Sequence, residues 1–151
     1  MYAACSNNEV ILYRASRREA LRRLFASPGD GSGALTSIVQ ARWCVEYPGI
    51  VFGLDSLSSI HMWDLCDNIT TPKISIPFQG KTVTAISLTS TPTNRNTFMI
   101  VKRGGVGFNT MSYYVGLAFV DGKVELHQLK LDKRNETADR CEQLTSFLAG
   151  L

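Results

Sequence analysis

The chain has 151 residues, a formal net charge of +3 and 44% hydrophobic residues, which is enough apolar material to fill the core of a soluble domain. No apolar run approaches the roughly 18 residues of a membrane-spanning helix, and the first residues lack a secretory signal pattern, so we expect neither membrane insertion nor secretion. The charge is too small to indicate nucleic-acid binding.

The first predicted elements form a hairpin of two short strands. Apolar residues over Tyr2–Cys5 lead into the polar turn Ser6–Asn8, and a second apolar strand follows over Glu9–Arg14. The next segment, Ala15–Phe25, is compatible with a short amphipathic helix or with a strand through Leu21–Phe25. The strand is favoured because the arrangement recurs further along the chain and needs an outer strand at this position.

From residue 27 onward the sequence predicts a flexible loop, an inner strand, a hairpin and an outer strand. These elements span, in order, Ser27–Gly33, Ile38–Trp43, Gly49–Leu65 and Thr71–Phe78. The hairpin turns at Ser56–Ser59, and the prolines of the outer strand suit the edge of a sheet. Bulky residues lie on both faces of the second hairpin strand, as in a strand packed between two neighbours.

That second hairpin strand closes on the pair Trp63-Asp64. A Trp-Asp pair at the end of a strand, within a repeat of roughly 40–45 residues, is typical of a blade of a WD-type β-propeller. We expect both residues to be structural. Trp63 would pack between blades, and Asp64 would accept hydrogen bonds that tie its strand to a neighbouring turn.

A third copy of the pattern follows. It has an inner strand over Val83–Leu88, an insertion over Thr91–Thr110 and a hairpin over Tyr113–Leu129. The hairpin turns at Asp121-Gly122, a strong hairpin signal because Gly adopts positive φ without strain. Within the insertion, Thr97–Val101 is predicted to be a strand.

The last segment changes to helical periodicity between Asn135, a suitable N-cap, and Leu151. The apolar residues at helical spacing are Ala138, Cys141, Leu144, Phe147, Leu148 and Leu151. One terminal amphipathic helix is therefore predicted.

The three hairpins align on the ends of their second strands, which places Tyr13-Arg14, Trp63-Asp64 and His127-Gln128 at one position. The sequence therefore predicts an all-β fold, a partial WD-repeat β-propeller of about two and a half blades with a C-terminal α-helix. The alternative is a run of unrelated hairpins. The predicted units are a partial blade (1–27), a complete blade (35–79), a last blade (81–131) with its insertion (91–110) and a helix (135–151). Since a propeller needs at least about four blades to close, we expect the chain to be the C-terminal piece of a longer protein.

No catalytic, cofactor or metal site is predicted. His61 and His127 hold related strand positions, which the repeat explains without a metal, and no Ser/His/Asp set is suggested by spacing. Gly104–Gly107 lacks the Gly-Lys-Ser/Thr ending of a phosphate loop. The four cysteines lack the paired spacing of a zinc site, since they are scattered along the chain at Cys5, Cys44, Cys66 and Cys141. We expect no enzyme activity, no cofactor and no small-molecule substrate.

One basic cluster stands out between residues 14 and 23. It consists of Arg14, Arg17, Arg18, Arg22 and Arg23. A solvated sheet edge is the simpler interpretation and an acidic partner surface the alternative. No aromatic platform for nucleic acid accompanies it.

Four segments of the chain resemble the last blades of dynein intermediate chains. They are Ala3–Tyr13, Ile38–Trp43, Tyr47–Phe52 and Ile60–Leu65. The likeness is greatest to the intermediate chains of the ciliary, second-class cytoplasmic dynein. There the last blade also ends in a strand like Leu126–Leu129, followed by a Cys-containing terminal helix that Asp139–Leu144 matches.

This resemblance implies a structural subunit whose propeller binds the dynein heavy chain, alongside other dynein subunits. The implied role is support of retrograde intraflagellar transport and cilium assembly. The implied location is the cytoplasm, the cytoskeleton and the cilium, at the axoneme or the ciliary base. An axonemal dynein intermediate chain and a generic WD-repeat interaction scaffold are the alternatives.

Overall fold

The computed structural model describes residues 2–16, 18–26, 36–44, 49–67, 71–92 and 111–129. These residues form strands and turns, and none of them belongs to a helix that could cross a membrane. The strands are β1 (Tyr2–Ser6), β2 (Glu9–Tyr13), β3 (Ala20–Phe25), β4 (Ile38–Trp43), β5 (Ile50–Asp55), β6 (Ser59–Asp64), β7 (Ile74–Pro77), β8 (Val83–Pro92), β9 (Met111–Phe119) and β10 (Val124–Leu129).

The strands form three antiparallel sheets. Sheet 1 has the order β1-β2-β3, sheet 2 the order β4-β5-β6-β7, and sheet 3 the order β8-β9-β10. Every pairing joins strands that are consecutive in the chain, so each sheet is a simple meander. The described part of the chain is therefore all-β, as predicted.

The three hairpins turn through a residue with left-handed backbone at the same place in each sheet. The φ angles are 46° at Asn8, 65° at Ser58 and 83° at Gly122. Gly and Asn adopt this conformation at low cost, and Ser does so less readily. In the third hairpin, the Gly122 N–H donates to the Phe119 carbonyl at 3.0 Å, which closes the predicted Asp-Gly turn.

Sheet 2 lies between the other two sheets, and its central strands β5 and β6 are buried on both faces. The face toward sheet 1 contributes to a cluster of Val10, Leu12, Leu24, Ala26, Ile38, Val51, Trp63 and Leu65. The face toward sheet 3 contributes to a cluster of Cys44, Ile50, Phe52, Leu54, Ile60, Met62, Val83, Ile86, Val115, Leu117 and Phe119. Alternate residues of β5 and β6 therefore supply two cores, and each large apolar side chain buried there stabilises the fold by about 1.5–3 kcal/mol.

The first strands of sheets 2 and 3, β4 and β8, share an irregularity and are joined to each other. Each shifts register by one residue just after its start. The Ile86 N–H donates to the side-chain oxygen of Gln40 at 2.6 Å, which links β8 to β4.

Some element boundaries differ from those predicted. The ambiguous segment is a strand at Ala20–Phe25, because it pairs with β2, whereas the outer strand of sheet 2 covers only Ile74–Pro77. β8 continues through Pro92 because it pairs with the long strand β9, so the predicted insertion starts later than Thr91. The predicted strand at 97–101 and the predicted helix at 135–151 lie outside the described residues.

Candidate functional site

The β5–β6 turn is organised by a buried carboxylate. One Asp55 oxygen accepts the backbone N–H groups of Leu57 at 2.9 Å and Ser59 at 2.7 Å. The turn also reaches sheet 3, because the Ser58 hydroxyl accepts the Val83 N–H at 3.0 Å. Asp55 and Ser58 are both buried, so these bonds satisfy groups that water does not reach.

A chain of three polar side chains runs from this turn to the outer strand. The second Asp55 oxygen lies 3.0 Å from His61 Nε2, and His61 Nδ1 lies 2.9 Å from the Ser75 hydroxyl. When Asp55 is a carboxylate, Nε2 donates to it and Nδ1 can accept the Ser75 proton. His61 is buried and Ser75 is exposed, so the chain connects the core to the sheet edge.

The spacing of these residues in the sequence did not suggest a Ser/His/Asp set, and the structure brings the three side chains together. In the sequence a turn separates Asp55 from His61, and a connection that does not reveal the strand register separates His61 from Ser75. The three meet because the register of sheet 2 pairs His61 directly with Ser75 across β6 and β7. The signal available in the sequence was the position of Asp55 just before a polar turn, where a carboxylate commonly accepts turn N–H groups.

Trp63 joins sheet 2 to sheet 1. Its side chain is fully buried in the cluster between these sheets, and its indole N–H donates to the Phe25 carbonyl at 3.2 Å. The ring lies over Gly53, where an added Cβ would come within 2.9 Å of the indole. Its ring centroid is 5.8 Å from that of His61. One side chain thus contributes both apolar contact and a hydrogen bond between sheets.

Asp64 lies at the end of β6 and is also buried. One of its oxygens accepts the Cys66 N–H at 3.1 Å, and the other lies 3.7 Å from the Lys73 ammonium. Asp64 therefore connects its own strand to the turn that follows and to the residue just before β7. Trp63 and Asp64 are adjacent in sequence but act at different places, one between sheets and one within sheet 2.

Two ionisable groups of sheet 3 have shifted pKa values. The pKa of Glu125 is lowered, chiefly by a hydrogen bond from Lys81 at 2.7 Å and then by one from His127 at 2.9 Å. The pKa of Asp121 is lowered, chiefly by the backbone N–H of Lys123. Both carboxylates are at the surface, where such pairs contribute little to stability.

The basic cluster is only partly a continuous surface. Arg18 and Arg23 are exposed, whereas Arg14 and Arg22 are partly buried. Arg23 pairs with Glu9 at 2.6 Å, which neutralises part of the cluster. Arg17 lies outside the described residues.

The described residues include no group of three or more His, Cys, Asp or Glu side chains placed to hold a metal ion. The arrangement around Asp55, His61, Trp63 and Asp64 holds strands, turns and sheets together. Its one chemically reactive possibility is the serine at the end of the Asp–His–Ser chain, since these group types activate a nucleophile in hydrolases. The chain matches no model of a known protein family and none of the curated proteins with which it was compared.

Proposed function

We propose that this chain is a non-catalytic subunit of the dynein intermediate-chain type, forming part of a WD-repeat β-propeller that binds a dynein heavy chain. The observation that carries the proposal is the recurrence of one hairpin in three stacked sheets, with left-handed backbone at the equivalent residues Asn8, Ser58 and Gly122. A radial repeat of small antiparallel sheets is how propellers are built.

The assignment to dynein rests on the sequence resemblance described above. In this proposal Trp63 and Asp64 are the structural WD pair, and their burial and hydrogen bonds are consistent with that role. The proposed partners are a dynein heavy chain and other dynein subunits. The proposed setting is retrograde intraflagellar transport and cilium assembly.

A structural role also accounts for the Asp–His–Ser chain. His61 and Ser75 are opposite each other on adjacent strands, so their hydrogen bond is a cross-strand pair that needs no catalytic purpose. Asp55 is already engaged by the turn. We therefore expect a fluorophosphonate probe to leave Ser75 unlabelled, and labelling that is lost in Ser75→Ala would revive an enzymatic function.

The proposal is tested by affinity purification of the tagged 151-residue chain from ciliated cells. We expect the heavy chain of the ciliary cytoplasmic dynein to co-purify. A tagged chain lacking residues 35–151 serves as the control and should recover none, because sheets 2 and 3 are missing. Expression level and solubility of both chains are measured alongside.

Other partners would change the assignment in defined ways. Recovery of outer- or inner-arm heavy chains would indicate an axonemal intermediate chain. Recovery of ubiquitin-ligase or vesicle-coat subunits without any dynein would indicate a generic WD-repeat scaffold. Heavy-chain binding that survives the deletion would place the binding function within residues 1–34.

A further inference from the structure

Sheet 3 presents an exposed apolar face on the side away from sheet 2. We call it the sheet-3 outer face, and its residues on β9 and β10 are Tyr114, Gly116, Ala118, Val124, Leu126 and Gln128. Leu126 lies across Gly116, with its Cδ2 3.5 Å from the position of an added Cβ. Val124 and Leu126 are 71% and 68% exposed, which is unusual for two large apolar residues on one strand.

The repeat shows what this face is equivalent to. Superposing the left-handed turn residues of the three hairpins places Val124 at the position of Val10 and Ile60. It also places Leu126 at the position of Leu12 and Met62. Val10 and Leu12 are 0% and 2% exposed, and Ile60 and Met62 are 7% and 5% exposed.

The equivalent residues are buried because a neighbouring sheet covers each pair. Val10 and Leu12 pack in a cluster with Val51 and Trp63 of sheet 2. Ile60 and Met62 pack in a cluster with residues of sheet 3, among them Leu117. The sheet-3 outer face is therefore of the kind that receives the opposite face of another sheet of this repeat.

One such opposite face is exposed on sheet 1. We call it the sheet-1 outer face, and the strand register places on it Ala4, Glu9, Ile11, Tyr13, Arg23 and Phe25. Tyr13 holds the position that Trp63 holds in sheet 2. Phe25 is 39% exposed, and Ile11 and Tyr13 are partly exposed.

The charges of the two faces permit this contact. Glu9 and Arg23 pair with each other at 2.6 Å, and the residues that define the sheet-3 outer face are uncharged. Contact between the two faces would therefore bury apolar area without leaving an unpaired charge, which is what makes such burial favourable.

We propose that the sheet-3 outer face binds the sheet-1 outer face of a second copy of this chain, head to tail. The contact extends the stack by the same packing that joins sheets 1 and 2 within one copy. It is heterologous, so two copies leave one face of each kind open, and further copies either close a ring or extend a filament. This inference does not depend on the proposed binding to dynein.

The experiment measures the association of the full 151-residue chain by sedimentation velocity across a concentration series. We expect the wild-type chain to grow in size with concentration. Leu126→Glu on one face and Phe25→Glu on the other should each weaken association by at least about tenfold, since each places an unpaired charge within the apolar contact. Arg23→Glu is a second variant of the sheet-1 face, and circular dichroism confirms that each variant is folded. Leu57→Glu is the matched control, because Leu57 is 63% exposed in a turn that belongs to neither face, and it should associate as the wild type does.

Mixing the variants distinguishes a head-to-tail contact from a symmetric one. The Leu126→Glu chain keeps its sheet-1 face, and the Phe25→Glu chain keeps its sheet-3 face, so the mixture should form heterodimers that stop at two copies. A mixture that stays monomeric would overturn the proposal. So would a wild-type chain that is monomeric at every concentration, including one in which radical footprinting finds Val124 and Leu126 protected by residues 130–151.

Discussion

Gly53 and Trp63 pack closely against each other. The indole of Trp63 occupies the space that a Cβ on residue 53 would need, at 2.9 Å and 3.1 Å from two ring atoms. A contact under 3.0 Å against a rigid, fully buried ring cannot be relieved by moving a flexible end. The close approach therefore explains why a glycine lies inside a buried strand, where it costs conformational entropy.

We expect Gly53→Ala to destabilise the fold by roughly 1–3 kcal/mol through overpacking. Gly116→Ala is the matched control, because its added Cβ would meet Leu126 at an ordinary 3.5 Å, and it should be near neutral. Urea unfolding measures both. The loss at Gly53 should shrink in a Trp63→Phe background, which removes the outer indole ring. An equal loss in both backgrounds would mean that the backbone, and not the ring, sets the requirement.

Trp63→Ala should cost on the order of 3–5 kcal/mol, because it empties a fully buried site and removes the hydrogen bond to the Phe25 carbonyl. Equilibrium unfolding of the full-length protein gives the value. Leu57→Ala, at an exposed turn position, should change stability by less than about 0.5 kcal/mol. A Trp63→Ala protein of near-normal stability that loses partner binding would instead place Trp63 on a contact surface.

At the scale of single elements, the β5–β6 turn and the β9–β10 turn each contain one left-handed residue, Ser58 and Gly122, but their surroundings differ. Each contains an aspartate whose side chain accepts a backbone N–H two residues on, Asp55 for Leu57 and Asp121 for Lys123. Asp55 is buried and also binds His61, whereas Asp121 is exposed. The same side-chain-to-backbone hydrogen bond should therefore contribute more to the free energy of unfolding in the β5–β6 turn than in the β9–β10 turn.

We expect Asp55→Ala to destabilise the protein by roughly 2–4 kcal/mol, because it leaves two turn N–H groups and His61 without their acceptor in the core. Asp121→Ala is the control and should cost less than about 1 kcal/mol, since water replaces the lost carboxylate. Ser75→Ala should also cost less than about 1 kcal/mol, since Ser75 is exposed and water can replace its hydroxyl. Thermal and urea unfolding compare the three. Equal losses for Asp55 and Asp121 would show that burial of the turn is unimportant.

The ion pair between Lys81 and Glu125 should make a small contribution to the dependence of the melting temperature on pH in acid. The folded pKa of Glu125 lies below its ordinary value of 4.5, so its ionised form stabilises the fold above that pH. This stabilisation is lost as the pH falls through the lowered folded pKa. Glu125→Gln should therefore flatten part of the fall in melting temperature below pH 4.5, whereas Glu19→Gln, at an exposed site, provides the comparison. Parallel melting curves for the wild type and Glu125→Gln would contradict this contribution.

The elements that the sequence predicted well are those determined by short-range patterns. The Asp121-Gly122 turn and the alternating apolar residues of Val124–Leu129 specify a hairpin without reference to the rest of the chain. The strand at Ala20–Phe25 could not be separated from a helix by periodicity, and pairing with β2 decides it. The Asp55–His61–Ser75 chain was missed because it depends on the register of β7, which the residues between the strands do not reveal.

At the scale of the whole molecule, the three sheets differ in how many of their faces are covered. In sheet 2 the central strands β5 and β6 are covered on both faces and β7 is exposed, whereas sheets 1 and 3 each present one face to solvent. The stability of the stack is therefore concentrated in its middle. Repeat proteins behave similarly, because each unit depends on the contacts it makes with its neighbours.

We expect native-state hydrogen exchange to rank the strands in that order. Amides of β5 and β6 should exchange only through global unfolding, while amides of the exposed strand β7 should exchange through local opening. Mass spectrometry of peptides across a denaturant series gives the opening free energy of each strand. Equal opening free energies for β6 and β7 would mean that sheet 2 opens as one unit regardless of coverage.

The burial of both faces of β6 has a consequence for how this chain can diverge among natural variants. A substitution at Met62 changes the packing against sheet 3, and one at the adjacent Trp63 changes the packing against sheet 1. Changes at these two neighbouring positions must therefore be compensated on different sheets, and a smaller residue at position 63 would remove the contact that requires glycine at position 53. Strand β10, whose side chains from Val124 to Gln128 are exposed or partly buried, can change one residue at a time. Sequence similarity among related chains should accordingly be highest in the central hairpin and lower toward the ends of the stack.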